Sequence, residues 1–291
     1  MKKTVAAVML FVLGGAGAFA ENGNLQAKSE TDWANGKLRL QITVRLDLDR
    51  LQFPEARRAA EKQAEEGRGD LFLDAFSGVT LDSSETVGQF LADSDKILFQ
   101  RRVVDALPAL CAAGVKAVSV VSDDFKSVSV VYEYSFYGAG GLLAPFVAQD
   151  QPLPLPAMPG YYATRPFSGL VIDARGQIAG FGKNTKVSCK PALFPRIFYL
   201  SARQTIEPVL DMTMADPRAI RKWGMVGYAR SADKGAYAPR AGSDPLAVVA
   251  FAVYGTNDTD LVISEDAARL LLSNEENREL LRQGKIVVII D

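Results

Sequence analysis

Apolar and polar residues alternate strictly from Leu38 to Leu48. Leu38, Leu40, Ile42, Val44, Leu46 and Leu48 fall on one side, and Arg39, Gln41, Thr43, Arg45 and Asp47 on the other. Period two predicts a strand with one buried and one wet face. The period changes at Phe53. Pro54 and Glu55 suit a first helical turn, and Ala56, Ala59, Ala60 and Ala64 recur at helical spacing. Such small residues let a helix approach a sheet closely. Leu71, Phe72 and Phe76 extend the apolar side, while Gly67 and Gly69 either break the helix or sit within it. The charges of this stretch are mixed in sign, as on an exposed helix face. Residues 81–114 predict a short and then a longer helix, with Ser83 as N-cap, Ile97, Val104 and Leu107 as the buried stripe, and Gly114 as the stop. Two strands follow, joined by the polar turn at Ser122, Asp123 and Asp124. The second places Val128, Val130, Tyr132, Tyr134 and Phe136 on one face. Core packing is one use of that face. Tyr132, Tyr134 and Phe136 also make it a candidate interaction strand.

The pattern stops at residues 138–166, where a glycine cluster and Pro145, Pro152, Pro154, Pro156 and Pro159 exclude a regular helix or central strand. This is a linker, or an extended arm lying on a neighbour. Beyond it, FSGLVIDARG places a short apolar strand, Leu170 to Ile172, before Asp173, Arg175 and Gly176. Polar side chains at a strand end fix turns by bonding to backbone, so Asp173 and Arg175 are expected to form a turn or salt bridge, with Arg196 as a further candidate partner. RIFYL and MVGYAR read as strands, ADPRAIRKWG as a short helix, and DPLAVVAFAVYG as one longer buried strand. Leu261 to Ile263 is a strand, Ser264 an N-cap, and Ser273 with Glu276 a capping box. Gly284 ends the last helix and KIVVIID closes the chain as a buried strand. The expected class is α+β: two small mixed modules, 38–137 and 167–291, each a mostly antiparallel sheet with helices packed on it, joined by the Pro/Gly-rich linker.

The N-terminus changes the picture of where this fold works. Lys2 and Lys3, the apolar run Val5 to Leu13, and Ala18-Phe19-Ala20 form the three parts of a signal peptide over 1–20. The run is short for a membrane span. The mature chain is thus expected to begin at Glu21, with a flexible leader over 21–37, and to be exported to the periplasm of a diderm cell. No cysteine at the cleavage site offers a lipid anchor.

Composition mainly excludes. The 291 residues carry a formal charge of -1, without the basic excess of a nucleic-acid binder. The chain has no histidine, which removes Ser-His-Asp and Cys-His catalysis and most transition-metal sites. Gly176, Gly180 and Gly182 lack phosphate-loop spacing. Of the two cysteines, Cys111 reads as a buried hydrophobe on a helix and Cys189 lies in the other module; export permits a bridge but nothing in the spacing requires one. Carboxylates are plentiful, yet none stands in a recognisable acid/base arrangement. No catalytic residue, metal site or cofactor is predicted.

The ordered set GLVIDARG, KPALFPRIF, GMVGYAR, DPLAVVAFAVYG, TDLVISEDAARLL and GKIVVIID resembles the C-terminal module of exported envelope proteins related to the flagellar FlgP and FlgT group. The preceding Ala-rich helix and strand pair resemble their first domain, so the likeness covers most of residues 38–291. It implies a non-enzymatic structural or assembly protein of the envelope, in a ring or disk around the flagellar motor, with protein partners and a homo-oligomeric or larger assembly. The chain departs from the FlgP side in lacking the lipid-acceptor cysteine, and Ser201 to Trp223 looks like an insertion. The alternatives are a periplasmic protein binding a small ligand in the interdomain cleft and a histidine-free hydrolase using carboxylates such as Asp173.

Overall fold

The computed structural model describes residues 19–22, 24–158 and 162–291. Residues 1–18 of the expected signal peptide lie outside them. The first module holds β1 (Phe19–Asn22), β2 (Leu25–Asp32), β3 (Lys37–Arg45), α1 (Phe53–Ser77), α2 (Val87–Ala92), α3 (Ile97–Ala112), β4 (Val115–Val121) and β5 (Ser127–Ser135). Its five strands lie in the order β1-β2-β3-β5-β4, every neighbour antiparallel. The leader expected to be flexible is therefore mostly sheet: β2 pairs along its whole length with β3, from Leu25↔Val44 to Asp32↔Lys37. Its Gln26, Lys28, Glu30 and Asp32 lie on the wet side of the sheet, opposite Thr43, Gln41, Arg39 and Lys37, where they mimic a disordered composition.

The register Leu40↔Tyr132 and Ile42↔Val130 sets the apolar positions of β3 and β5 on one face. That face is sealed by α1, whose Ala56, Ala60, Ala64, Phe72 and Phe76 are buried. Phe72 packs at 4.5 Å from the Tyr134 ring and 5.5 Å from Phe76. Burying a side chain of this size stabilises the fold by about 1.5–3 kcal/mol, which is why α1 runs unbroken through Gly67 and Gly69. Tyr132, Tyr134 and Phe136 are at most 1% exposed, and β5 is flanked by strands on both sides. They are core, not an interaction strand, because the period-two face that carries them is the face α1 covers.

Glu61 ties α1 to the sheet edge. Its carboxylate accepts from Ser119 Oγ at 2.7 Å, Lys116 Nζ at 3.0 Å and Arg57 Nε at 3.2 Å. The Ser119 hydroxyl, then Lys116, pulls its pKa from 4.5 down to about 2. A depressed carboxylate contributes stability that is complete above the unfolded value and is lost as pH falls through the folded one. Glu61→Gln is therefore expected to cost roughly 1–2 kcal/mol at pH 7, discounted for a side chain one quarter exposed, and progressively less between pH 4.5 and 2. Urea unfolding of parent and variant across that window checks it; a gap independent of pH would refute the assignment.

The helices after α1 differ in detail from expectation. Thr86, not Ser83, caps α2, in a capping box with Gln89. On α3 the buried residues are Gln100, Val103 and Leu110, whereas Ile97 and Val104 are exposed. Ile-Leu-Phe at the helix start is too wide for one face, so part of it must meet water.

The second module holds β6 (Leu170–Asp173), β7 (Ile178–Gly180), β8 (Lys186–Val187), β9 (Ile197–Leu200), β10 (Ile206–Leu210), α4 (Pro217–Trp223), β11 (Gly227–Ala229), α5 (Lys234–Ala241), β12 (Leu246–Val249), β13 (Ala252–Tyr254), β14 (Asp260–Ser264), α6 (Glu265–Leu272), α7 (Glu275–Arg282) and β15 (Ile286–Ile289). The class, two mixed α/β modules, is as the patterning implies. Strand direction in this module is not. The sheet β11-β15-β6-β12 is wholly parallel, and the sheet β10-β9-β14-β13-β7-β8 is mixed. Parallel strands buried on both faces read as continuous apolar runs, as β15 does with all four residues buried. DPLAVVAFAVYG is two strands, not one: β12 and β13 belong to different sheets, and the chain crosses between them at Ala250 and Phe251. Ser264 caps α6 as expected, but Asn274, not Ser273, caps α7.

The Pro/Gly segment is the arm rather than a free linker. Leu142, Leu143, Phe146, Val147 and Leu155 are buried. The insertion-like residues receive it: Gln149 Nε2 donates to Met212 O at 2.6 Å, Leu153 N to Thr213 O at 2.8 Å, and Arg221 Nη2 to Val147 O at 2.9 Å. One buried apolar cluster runs through both modules and the arm.

Candidate functional site

The modules are joined by backbone as well as by side chains. Leu193 N donates to Thr80 O at 3.1 Å, Phe194 N to Leu81 O at 2.9 Å, and Asn257 N to Ser83 O at 2.9 Å. Beside this seam a cleft of about 610 Å³ opens. Its first wall is α2 and the start of α3, with Phe90, Leu98, Phe99 and Arg102; the arm supplies Pro145 and Phe146; the second module supplies Phe194, Arg196 and Met212. Gln100 Nε2 donates to the carbonyls of Phe90 and Asp93, which holds α3 against the end of α2. The floor is aromatic: Phe146 lies 5.5 Å from Phe90 and 6.3 Å from Phe194. At the mouth, Leu98 is 87% and Phe99 67% exposed. Two large apolar side chains in water beside an apolar hollow are unusual on a surface that has nothing to bind.

Charges in this cleft are mostly spoken for. Glu85 takes Lys96 Nζ on both oxygens, at 2.7 and 2.8 Å. Asp82 Oδ1 accepts from Ser84 N, Ser84 Oγ and Glu85 N, and Asp211 Oδ1 from Thr213 N, Thr213 Oγ1 and Met214 N. Arg196 pairs with the fully buried Asp260, through its backbone N at 2.9 Å and Nε at 2.8 Å, and reaches across the seam to Ser83 Oγ at 2.7 Å. Burial pushes the Asp260 carboxyl above its ordinary range although Arg196 pulls the other way.

Arg196 is thus at the site, but its partner is Asp260 and not Asp173. Asp173 and Arg175 lie elsewhere, at the end of β6. Arg175 Nε donates to Asp173 Oδ1 at 2.9 Å and Nη2 to Oδ2 at 2.6 Å, while Gly176 N donates to Asp291 at 2.9 Å. The Arg175 guanidinium holds the Asp173 carboxyl below its usual value. This is a braced turn, with both groups of the pair occupied by one another. Cys111 and Cys189 are unpaired, and burial pushes the Cys189 thiol up to about 12, so it is protonated and unreactive at neutral pH.

Family models exist for both modules. Residues 24–139 match the model described as the N-terminal domain of Treponema pallidum Tp0624, and residues 169–291 match that of its second domain. A comparison with curated proteins gives no match. The two Tp0624-like segments stand in the order their descriptions state, and the unmatched stretch between them contains the arm. The cleft is therefore built where two Tp0624-like domains and the arm meet.

The aromatic residues of the cleft carried no functional signal in the sequence. Phe90, Phe146 and Phe194 each look like core, and only the fold brings them together. The one available sign was Ile97-Leu98-Phe99, a run wider than a helix face. A hollow of about 510 Å³ beside Tyr199 and one of about 700 Å³ beside Trp223 have charged walls, the first with the pair Glu265 and Arg269, the second with Glu275, which Arg282 holds from outside the wall. The inter-module cleft differs from both in its aromatic floor and unsheltered apolar rim.

Proposed function

We propose that this is a non-catalytic binding protein of the bacterial cell envelope whose ligand occupies the cleft between the two modules. One observation carries the proposal: the aromatic floor continues into Leu98 and Phe99, which stand in water at the mouth. Export rests on the signal-peptide pattern of residues 1–20. Among the described residues no helix is long and apolar enough to cross a membrane. A neutral apolar dye, Nile red, is expected to brighten on binding the full chain. Phe99→Asp is expected to weaken it about tenfold or more, the value of one large apolar contact, and to leave the unfolding midpoint unchanged because Phe99 is already exposed. Nile red emission unaffected by Phe99→Asp would remove the cleft from the proposal.

A second reading, a scaffold subunit of the envelope, has β4 in its favour. This is the outer strand of its sheet, and Val115, Val118 and Val120 are 45–66% exposed. Lys116 is held by Glu61, so the edge offers little charge against pairing with a second copy of the chain. The flagellar placement comes from the resemblance to the FlgP and FlgT group. Light scattering of the purified chain, with gene deletion and imaging of the motor region, tests it. A monomer with normal motors and normal swimming would rule it out.

A further inference from the structure

The charge inventory of the cleft, taken with the proposal that the cleft is the binding site, narrows the ligand. We infer that the cleft takes an amphipathic anion: an apolar chain ending in a carboxylate, bound with its chain over the aromatic floor and its head at Arg102. The acids of the cleft are engaged with the protein itself. Glu85 is closed by Lys96, while Asp82 and Asp211 each hold N–H and hydroxyl groups of their own turns through one oxygen and, among the described residues, pair with no cation. Lys96 is closed in turn by Glu85 and Asp93. Arg196 shares its charge with Asp260. Arg102 differs from all of these: among the described residues it makes no ion pair and no hydrogen bond, and it is exposed. It follows Leu98 and Phe99 by four and three residues, so it lies on the same side of α3, one turn along, and lines the same cleft. Its planar fork matches a carboxylate at two points. A hydroxyl head could accept only a single, weaker hydrogen bond there and Arg102 repels a cationic head, so Arg102 favours an anion next to an apolar chain.

The test uses three probes that share one chain: decanoate and decyltrimethylammonium below their micelle concentrations and decanol below its solubility limit, each titrated calorimetrically into the full chain at pH 8. Decanoate is expected to bind about tenfold more tightly than decanol, the value of one charge-assisted hydrogen-bond pair, with decyltrimethylammonium weakest. Arg102→Gln is expected to lower decanoate to the level of decanol and leave decanol unchanged; an unchanged unfolding midpoint confirms that the variant is folded. Phe99→Ala is expected to weaken decanoate and decanol alike. Equal binding of the three probes, still dependent on Phe99, would overturn the anion inference and keep the cleft. A decanoate preference that survives Arg102→Gln would also overturn it, by placing the head elsewhere. Binding of no probe would overturn both the inference and the cleft proposal.

Discussion

Arg240→Ala is expected to destabilise the protein by about 3–5 kcal/mol. The guanidinium of Arg240 is partly buried and is surrounded by carbonyls instead of carboxylates. Nε donates to Gly284 O at 2.8 Å, Nη1 to Trp223 O at 2.5 Å, and Nη2 to Gly224 O at 2.8 Å, with the Trp223 ring 5.3 Å away. Trp223 and Gly224 close α4, and Gly284 follows α7. The last carbonyls of a helix lack partners within it and carry partial negative charge, so one cation serves the ends of two helices. Burial pulls the Arg240 pKa down to about 10, which still leaves it charged at neutral pH. Each hydrogen bond to a charged group contributes about 1.5–3 kcal/mol, and truncation to alanine leaves three carbonyls without a donor. Arg240→Met keeps the stem against Trp223 and is expected to recover less than half of the loss. Arg240→Lys offers a compact ammonium in place of a fork and cannot meet three divergent acceptors. Urea unfolding measures all three. A loss below about 1 kcal/mol for alanine would mean that water replaces the fork, and the helix-end account would fail.

Arg240 also shows what the sequence hid. It lies in LysGlyAlaTyrAlaProArgAla, a helix with Gly235 and Pro239 inside it. Both residues argue against a helix, and only packing onto β6, β11 and β15 overrides them. The strands were easier. Alternation in β3 and β5 and the solid apolar runs of β6, β14 and β15 report burial directly, and burial is what shapes those patterns. Strand direction and partnership do not leave that trace: Leu246 to Tyr254 is apolar throughout, yet the chain changes sheets within it. The leader failed for a related reason. β2 lines one side of a sheet with charged residues, and its composition alone resembles a loop.

The site was legible only at its edges. Asp173 and Arg175 were readable as a turn because the interaction is local, two residues apart. Arg196 was readable as a pairing residue but not with its partner, since 64 positions separate it from Asp260. The aromatic floor joins α2, the arm and the second module. No periodicity within one segment encodes a contact among three. Arg102 is one of two adjacent arginines on an amphipathic helix, and nothing before the fold distinguishes it from its neighbour.

Asp260 sets two physical effects against each other, and its replacement decides between them. Asp260→Ala is expected to cost about 3 kcal/mol: Arg196 N loses its acceptor inside the seam, and the guanidinium loses both the carboxylate and the geometry that carries it to Ser83. The cost stops short of that of a sealed ion pair because the Arg196 side chain is 42% exposed and can hydrate. Asp260→Asn keeps an acceptor for Arg196 N and is expected to cost less. Its pH dependence is the sharper measurement. Burial raises the Asp260 pKa above its ordinary 3.8, so the native state holds that proton more tightly than the unfolded chain does. This group's contribution therefore falls as pH rises from 3.8 through the folded value and is constant above it. Asparagine does not titrate, so Asp260→Asn is expected to gain on the parent over that same rise. If the variant instead loses ground as pH rises, the pair with Arg196 outweighs burial and the carboxyl sits below its ordinary value. The seam between the modules would then be held by a working ion pair, and neutralising it by acid would loosen the cleft beside it.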